Sequence, residues 1–231
     1  MITRREYLKY STMAAGACML TPGALAQMSG GIIKRAIPST GEEIPVVGLG
    51  SSATFRTVAQ SEDVTALQGV LQTLIDNGGT LFDTAPGYGA SEEVAGQIAQ
   101  DLDIGDKLFW ATKLNVAPRG GGQADEAAAR AQLDRSFRFV GKDPIDLVQV
   151  HNLGDPPTQM PILQELKEEG RIRYIGITST TTRRYPDLMQ AMRDYPVDFI
   201  GVDYAVDNRV SAEAVLPLAE ELGIAVLGYV P

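Results

Sequence analysis

Positive charge, cysteine and histidine are all in short supply in this sequence. Lysine and arginine total 20 against 29 aspartates and glutamates, which gives the 231 residues a formal net charge of −9. Such a deficit opposes non-specific binding to nucleic acid, whose phosphates demand a basic surface. The one cysteine, Cys18, excludes an internal disulfide framework and any multi-cysteine metal site. The one histidine, His151, excludes sites built from several imidazoles. Together these counts remove zinc fingers, most zinc hydrolases and iron–sulfur proteins, and no bound metal is expected. No G-x-G-x-x-G or G-x-x-x-x-G-K-[ST] opens a helix. Gly48-Leu49-Gly50 is half a fingerprint, and Gly120-Gly121-Gly122 lies in a long loop. Beyond the first residues no apolar run reaches the length of a membrane span, so stable insertion is not expected. What is present, 44% apolar and 21% charged residues, suits one sizeable globular core.

The first residues read as an address. Arg4 and Arg5 precede a small-residue, weakly apolar run from Tyr10 to Leu25, and Ala24-Leu25-Ala26 supplies the A-x-A pattern of a signal-peptidase site. The paired arginines resemble the bacterial twin-arginine signal, whose passengers cross the membrane folded. Residues 1–26 are therefore expected to be a signal peptide read by the export machinery. The expected destination is the periplasm, with residues 27–231 as the folded domain.

From Ile44 onward, short β-rich apolar runs alternate with amphipathic stretches. The runs are Ile44 to Leu49, Thr80 to Asp83, Leu108 to Lys113, Asp146 to His151, Ile172 to Thr178, Phe199 to Tyr204 and Ala225 to Tyr229. Helical spacing appears in segments such as Glu62 to Asn77, Glu92 to Gln100, Asp125 to Phe139, Pro161 to Glu169, Arg183 to Arg193 and Ala212 to Leu222. This alternation defines an α/β protein with a parallel sheet, either an open doubly wound sheet or a (β/α)8 TIM barrel. Polar residues favour the barrel. Asp83, Lys113, His151, Thr178, Asp203 and Tyr229 all fall at carboxyl ends of different strands, where barrel enzymes keep their chemistry. The two-residue period of a strand puts Lys113, Ala111 and Phe109 on the interior face and turns Trp110 and Thr112 toward the helices. His151 shares a face with Gln149 and Leu147. Charged groups on buried strands are costly unless paired, so their convergence on one end points to a shared polar site.

Four separated segments now carry a resemblance. Gly79-Thr80-Leu81-Phe82-Asp83-Thr84-Ala85-Pro86-Gly87-Tyr88-Gly89-Ala90-Ser91-Glu92 is similar to the most specific motif of the aldo/keto reductase family. Trp110-Ala111-Thr112-Lys113 resembles the strand that ends in that family's lysine. Arg135-Ser136-Phe137 with Asp146-Leu147-Val148-Gln149-Val150-His151 resembles the approach to its histidine, and Leu166 to Ile177 is a further match. The resemblance implies a catalytic tetrad of Asp83, Tyr88, Lys113 and His151, and reduction of an aldehyde or ketone to an alcohol by hydride transfer from a nicotinamide cofactor. Tyr88 would donate the proton, with Lys113 easing its release, Asp83 holding Lys113 charged and His151 orienting the carbonyl. It also implies cofactor contacts from Thr178 and Ser179, where the family commonly has Ser-Asn, and from Tyr229 as an aromatic stacking on the nicotinamide ring. Gly201 departs from the family's usual glutamine, and neighbouring Asp203 is the candidate to replace the lost amide contact. NADP(H) is expected ahead of NAD(H), with a small-molecule carbonyl compound as the partner.

The chain stops at Tyr229-Val230-Pro231, directly after the seventh expected strand. A closed barrel needs an eighth, so the expectation is an incomplete barrel from a longer protein, with the phosphate-gripping segment absent. Two other readings compete. Lys113 could form a Schiff base in a barrel aldolase, or the domain could bind a dinucleotide without catalysis as a sensor or partner subunit. The loops Asn115 to Gly122 and Asn152 to Pro157 are the expected specificity elements.

Overall fold

The computed structural model describes residues 31–61, 63–118 and 121–230. The expected signal peptide, residues 1–26, lies outside them. A short antiparallel hairpin comes first, with β1 at Lys34–Ala36 paired to β2 at Glu43–Pro45. Seven strands then form one sheet in strict chain order, every neighbouring pair parallel. They are β3 (Leu49–Gly50), β4 (Leu81–Asp83), β5 (Phe109–Leu114), β6 (Ile145–Val150), β7 (Ile172–Ser179), β8 (Phe199–Asp203) and β9 (Ala225–Tyr229). Sequential order and uniform direction make this the curled sheet of a (β/α)8 barrel, with β3 and β9 as its edges. An open doubly wound sheet would reverse its strand order partway.

The helices are α1 (Thr54–Ala59), α2 (Thr65–Asp76), α3 (Ser91–Asp101), α4 (Glu126–Val140), α5 (Pro156–Glu168), α6 (Tyr185–Asp194) and α7 (Ser211–Leu222). Local chemistry sets their ends. Asp125 caps α4 by accepting the Ala128 N–H at 2.7 Å, and Gly141 closes it in the left-handed region at φ 68°. Proline at 156 and 157 starts α5, because the first turn of a helix needs no N–H. That start precedes the sequence expectation at Pro161, which sits inside the helix and forgoes only its own backbone bond. The run Ile44 to Leu49 also divides. Ile44 pairs with Arg35 in the hairpin, and the first sheet strand is only Leu49–Gly50. No helix among the described residues is long and apolar enough to cross a membrane.

Strand alternation separates two cores, as the period of two requires. Inside the curl, Leu81, Phe109, Ala111, Leu147, Tyr174, Phe199 and Leu227 pack together. Phe109 stacks on Tyr174 with ring centroids 5.9 Å apart, and Tyr174 meets Phe199 edge-on at 5.6 Å. On the outer face, Phe82, Trp110, Val148, Ile175, Ile200 and Val202 pack against the helices. Lys113, Ala111 and Phe109 thus face inward, with Trp110 outward.

The hairpin closes the amino-terminal end of the sheet. Ile37, 1% exposed, is buried in the inner core. Glu42 accepts from Arg173 and from the Tyr174 hydroxyl, and the Thr40 hydroxyl lies 2.8 Å from the same Tyr174 oxygen. Arg173 also donates to Asp146 at 2.7 Å. Asp146 further accepts from Lys142 at 2.7 Å and from the Trp110 N–H at 2.8 Å. This buried carboxylate therefore bonds groups from three segments, which makes its burial tolerable.

One close approach fixes how the outer layer is built. A Cβ at Gly96, in the middle of α3, would meet the Phe139 carbonyl oxygen at 1.8 Å. Alanine gains about 1 kcal/mol over glycine in a helix interior, but here the clash with backbone outweighs it. Gly96→Ala is expected to destabilise the fold by roughly 1–3 kcal/mol, read as a lower midpoint in urea unfolding. A higher midpoint would show that α3 and α4 separate freely.

Candidate active site

Parallel strands deliver their polar residues to one end, and the tetrad meets there. Asp83 is the last residue of β4, Lys113 the fifth of β5, and Tyr88 lies in the loop between β4 and α3. His151 begins the short 3-10 turn that follows β6. All four line a cleft of about 720 Å³ that runs along the strands, from Ile44, Leu81 and Phe199 at the amino-terminal end to Asn152, Thr178, Thr180 and Tyr229 at the carboxyl end.

The centre of the site is an ion pair. The Lys113 ammonium donates to Asp83 Oδ2 at 2.7 Å and to the Thr84 carbonyl at 2.8 Å, and the lysine is only 1% exposed. Burial of that charge is tolerable because a carboxylate and a carbonyl meet it. The other oxygen, Asp83 Oδ1, accepts from the Tyr229 hydroxyl at 3.0 Å and from the Gln149 amide at 3.4 Å. Lys113 Nζ also lies 5.1 Å from the centre of the Tyr88 ring and 5.4 Å from that of Tyr229.

Tyr88 and His151 complete the constellation edge to face, with ring centroids 6.0 Å apart. Burial, reinforced by the Asp83 charge, pushes the Tyr88 phenol up to about 12. In the free cleft Tyr88 therefore keeps its proton through the neutral range. Burial, with the Lys113 charge adding to it, lowers the His151 imidazole to about 4. His151 is therefore neutral near pH 7 and can offer one N–H.

The turn that carries His151 is held from two sides. Asn152 and Leu153 have left-handed backbone at φ 53° and 54°, a conformation that non-glycine residues adopt at a cost. The Asn152 N–H donates to Thr178 Oγ1 at 2.8 Å, and Arg184 donates to the Asn152 carbonyl at 2.9 Å. Thr178 thus links β7 to the histidine turn while its own O–H is still available to donate.

Two residues expected on the cofactor side are not among those that line the cleft. Ser179 pairs with Val202 on the helix-facing side of the sheet, and its Oγ accepts from the Thr181 N–H at 3.4 Å. Thr180 lines the cleft instead, one residue further along the alternation. Asp203 gives Oδ1 to the Tyr185 hydroxyl and Oδ2 to the Asn208 amide, so its carboxylate is committed outside the cleft. Sequence reasoning also passed over Gln149 as a site residue. The signal was its place on the same strand face as His151, and the structure pairs it with Lys113 across β5 and β6. Glu92 is a second buried carboxyl near the site. It accepts the Thr112 hydroxyl at 2.6 Å on the opposite side of β5, and burial raises its carboxyl above the ordinary range.

The lowered imidazole couples to stability. An unfolded histidine takes up a proton near pH 6.5, whereas His151 in the fold does so only near 4. The unfolded state therefore binds more protons between those values, and stability falls as pH drops from about 6.5 toward 4. Urea unfolding of the protein at pH 7 and pH 5 is expected to show a loss that shrinks in His151→Gln. An equal loss in both would remove His151 as its source.

Comparison with known proteins agrees with this geometry. The pattern described as "Aldo/keto reductase family" matches residues 46–231. Aldo-keto reductase YhdN of Bacillus subtilis (strain 168) is 30% identical over 202 residues, covering 84% of this chain and 60% of the relative. Aldo-keto reductase str7 of Strobilurus tenacellus is 30% identical over 193 residues, covering 80% of this chain and 55% of the relative. Among solved structures, an aldo-keto reductase from Klebsiella pneumoniae in complex with NADPH matches with a TM-score of 0.66 at 25% identity, covering 87% of this chain and 69% of that one. The chain thus spans less than two thirds of the curated relatives it matches. Sheet order, the four motif residues around one cleft and these matches have one reading: the chain belongs to the aldo/keto reductase family.

Proposed function

We propose that the protein is a nicotinamide-dependent oxidoreductase that reduces an aldehyde or ketone to an alcohol. The observation that carries this reading is the buried Asp83–Lys113 pair set beside a protonated Tyr88 and a neutral His151 in one cleft. When bound, a reduced nicotinamide would supply hydride to the carbonyl carbon. The oxygen then becomes an alkoxide, a far stronger base than a phenolate, and Tyr88 gives up its proton to it even from a phenol near 12. The phenolate left on Tyr88 is stabilised by the Lys113 ammonium 5.1 Å from its ring centre. A neutral His151 can donate one ring N–H to the carbonyl oxygen, holding the carbonyl in place and drawing charge onto that oxygen.

The cleft suits the nicotinamide end of such a cofactor. The Thr178 and Thr180 hydroxyls can meet a carboxamide, and the Tyr229 ring supplies an aromatic face. His151 Nδ1 is a buried nitrogen with no partner among the described residues. NADP(H) is the proposed cofactor, supported by the Klebsiella pneumoniae relatives crystallised with NADPH and with NADP. Export to the periplasm is likewise proposed, on Arg4-Arg5 and Ala24-Leu25-Ala26. A Schiff-base aldolase is disfavoured because its lysine must react as a neutral amine, whereas Lys113 is clamped by a carboxylate and a carbonyl.

The test is titration of NADPH and NADH followed by turnover on a panel of aldehydes and ketones. Tyr88→Phe is expected to bind cofactor normally and to lose turnover roughly 100-fold or more. Cofactor binding with no turnover on any carbonyl would leave a sensor. No binding of either cofactor would overturn the assignment.

A further inference from the structure

Gly201 is bare backbone on β8, and the structure shows what fills the space above it. A Cβ at Gly201 would meet Tyr229 Cε2 at 2.3 Å, Tyr229 Cζ at 3.0 Å and the Thr178 methyl at 2.9 Å. The Tyr229 ring therefore lies directly over the bare backbone of β8. From there its hydroxyl reaches inward to Asp83 Oδ1 at 3.0 Å, while Gln149 Nε2 lies 3.1 Å from the Tyr229 oxygen and 3.4 Å from the same carboxylate oxygen. Tyr229, Gln149 and Asp83 thus form a closed triangle on β9, β6 and β4, three strands that are not neighbours in the sheet.

We propose that Tyr229 and Gln149 are positioning residues that hold the second oxygen of Asp83, and that Gly201, by lacking a side chain, admits the Tyr229 ring to this post. The chemistry follows from geometry. A carboxylate bound at one oxygen only can swing about its Cβ–Cγ bond. Anchored at Oδ1, it keeps Oδ2 on Lys113, and Lys113 keeps its place beside the Tyr88 ring. The groups facing Asp83 are Lys113 from β5, Gln149 from β6, Tyr229 from β9 and the Tyr88 phenol from its loop. Tyr229 would then act through its hydroxyl as well as through its ring face, and the two contributions are separable by removing the hydroxyl alone. This inference rests on the reductase reading for its kinetic consequence, but the anchoring itself can be read without cofactor.

The experiment uses protein labelled with 15N in lysine side chains. The Lys113 ammonium, enclosed by Asp83 and the Thr84 carbonyl, gives a protected signal assigned by its loss in Lys113→Met. Tyr229→Phe, which keeps the ring, and Gln149→Leu are each expected to shift that signal and to speed its hydrogen exchange roughly tenfold or more. Gly201→Ala should have the same effect by pushing the ring aside, and should add nothing once Tyr229→Phe is present. If Gly201→Ala does not fold, the other two variants decide. In turnover, Tyr229→Phe should lower kcat roughly tenfold with the KM for cofactor unchanged, the opposite of what loss of a stacking face would do. An unmoved Lys113 signal in Tyr229→Phe and Gln149→Leu overturns the proposal, as does an unchanged kcat. If the native protein neither binds dinucleotide nor turns over, the reductase reading falls, and the Lys113 signal still decides the anchoring.

Discussion

The buried pair between Lys113 and Asp83 is the interaction on which the rest of the site depends. A lysine with 1% exposure is held inside the sheet only because a carboxylate and a backbone carbonyl stand within 2.8 Å of its nitrogen. Removing either charge alone would leave the other buried and uncompensated, among the costliest defects a protein interior can contain. The pair also sets the electrostatics of its neighbours. Its negative member helps hold Tyr88 protonated, and its positive member helps keep His151 neutral. Burial is the larger cause at both groups, and the salt bridge adds to it at each of the two that would handle the substrate oxygen.

That pair could not sit where it does without strict parallel order. Strands β4 to β7 carry Asp83, Lys113, Gln149 and Thr178 toward their carboxyl ends and apolar residues below, so the inner core of Leu81, Phe109, Leu147, Tyr174 and Phe199 forms the floor of the cleft. The outer core of Phe82, Trp110, Val148 and Ile200 secures the same strands from behind. Stability and chemistry are therefore divided along the strands, with packing at the base and charge at the top.

Much of this was legible in the sequence, for a physical reason. Alternation along a strand is local, so the inward set of Phe109, Ala111 and Lys113 could be read without coordinates, and so could the convergence of Asp83, Lys113 and His151 on one end. The failures were not local. Ile44 to Leu49 reads as one strand, yet its first residues pair with Lys34–Ala36 and only Leu49–Gly50 joins the sheet. Nothing in the run itself announces that partner. Asp203 ends a strand as Asp83 does, but the Tyr185 hydroxyl and the Asn208 amide turn its carboxylate away. Ser179 faces the helices by parity, since Thr178 points inward on β7 and Thr180, just beyond the strand, lines the cleft. Gln149 was visible on the right face, but its importance lies in what reaches it from β4 and β9, which no single segment encodes.

The hairpin at the floor has a meaning in time as well as in space. Its contacts from Thr40 and Glu42 to Arg173 and Tyr174 join residues 131 to 134 positions apart. The hairpin is among the first described segments to leave the ribosome, yet it cannot dock until the chain has been made as far as Tyr174. Until then Ile37 has only part of its apolar surroundings, and the inner core stays open from below. Closure of the floor is thus a late, long-range event, set by the slowest loop to close. A nascent chain stalled before β7 would carry the strands of Asp83 and Lys113 in sequence but would have no base to stand them on.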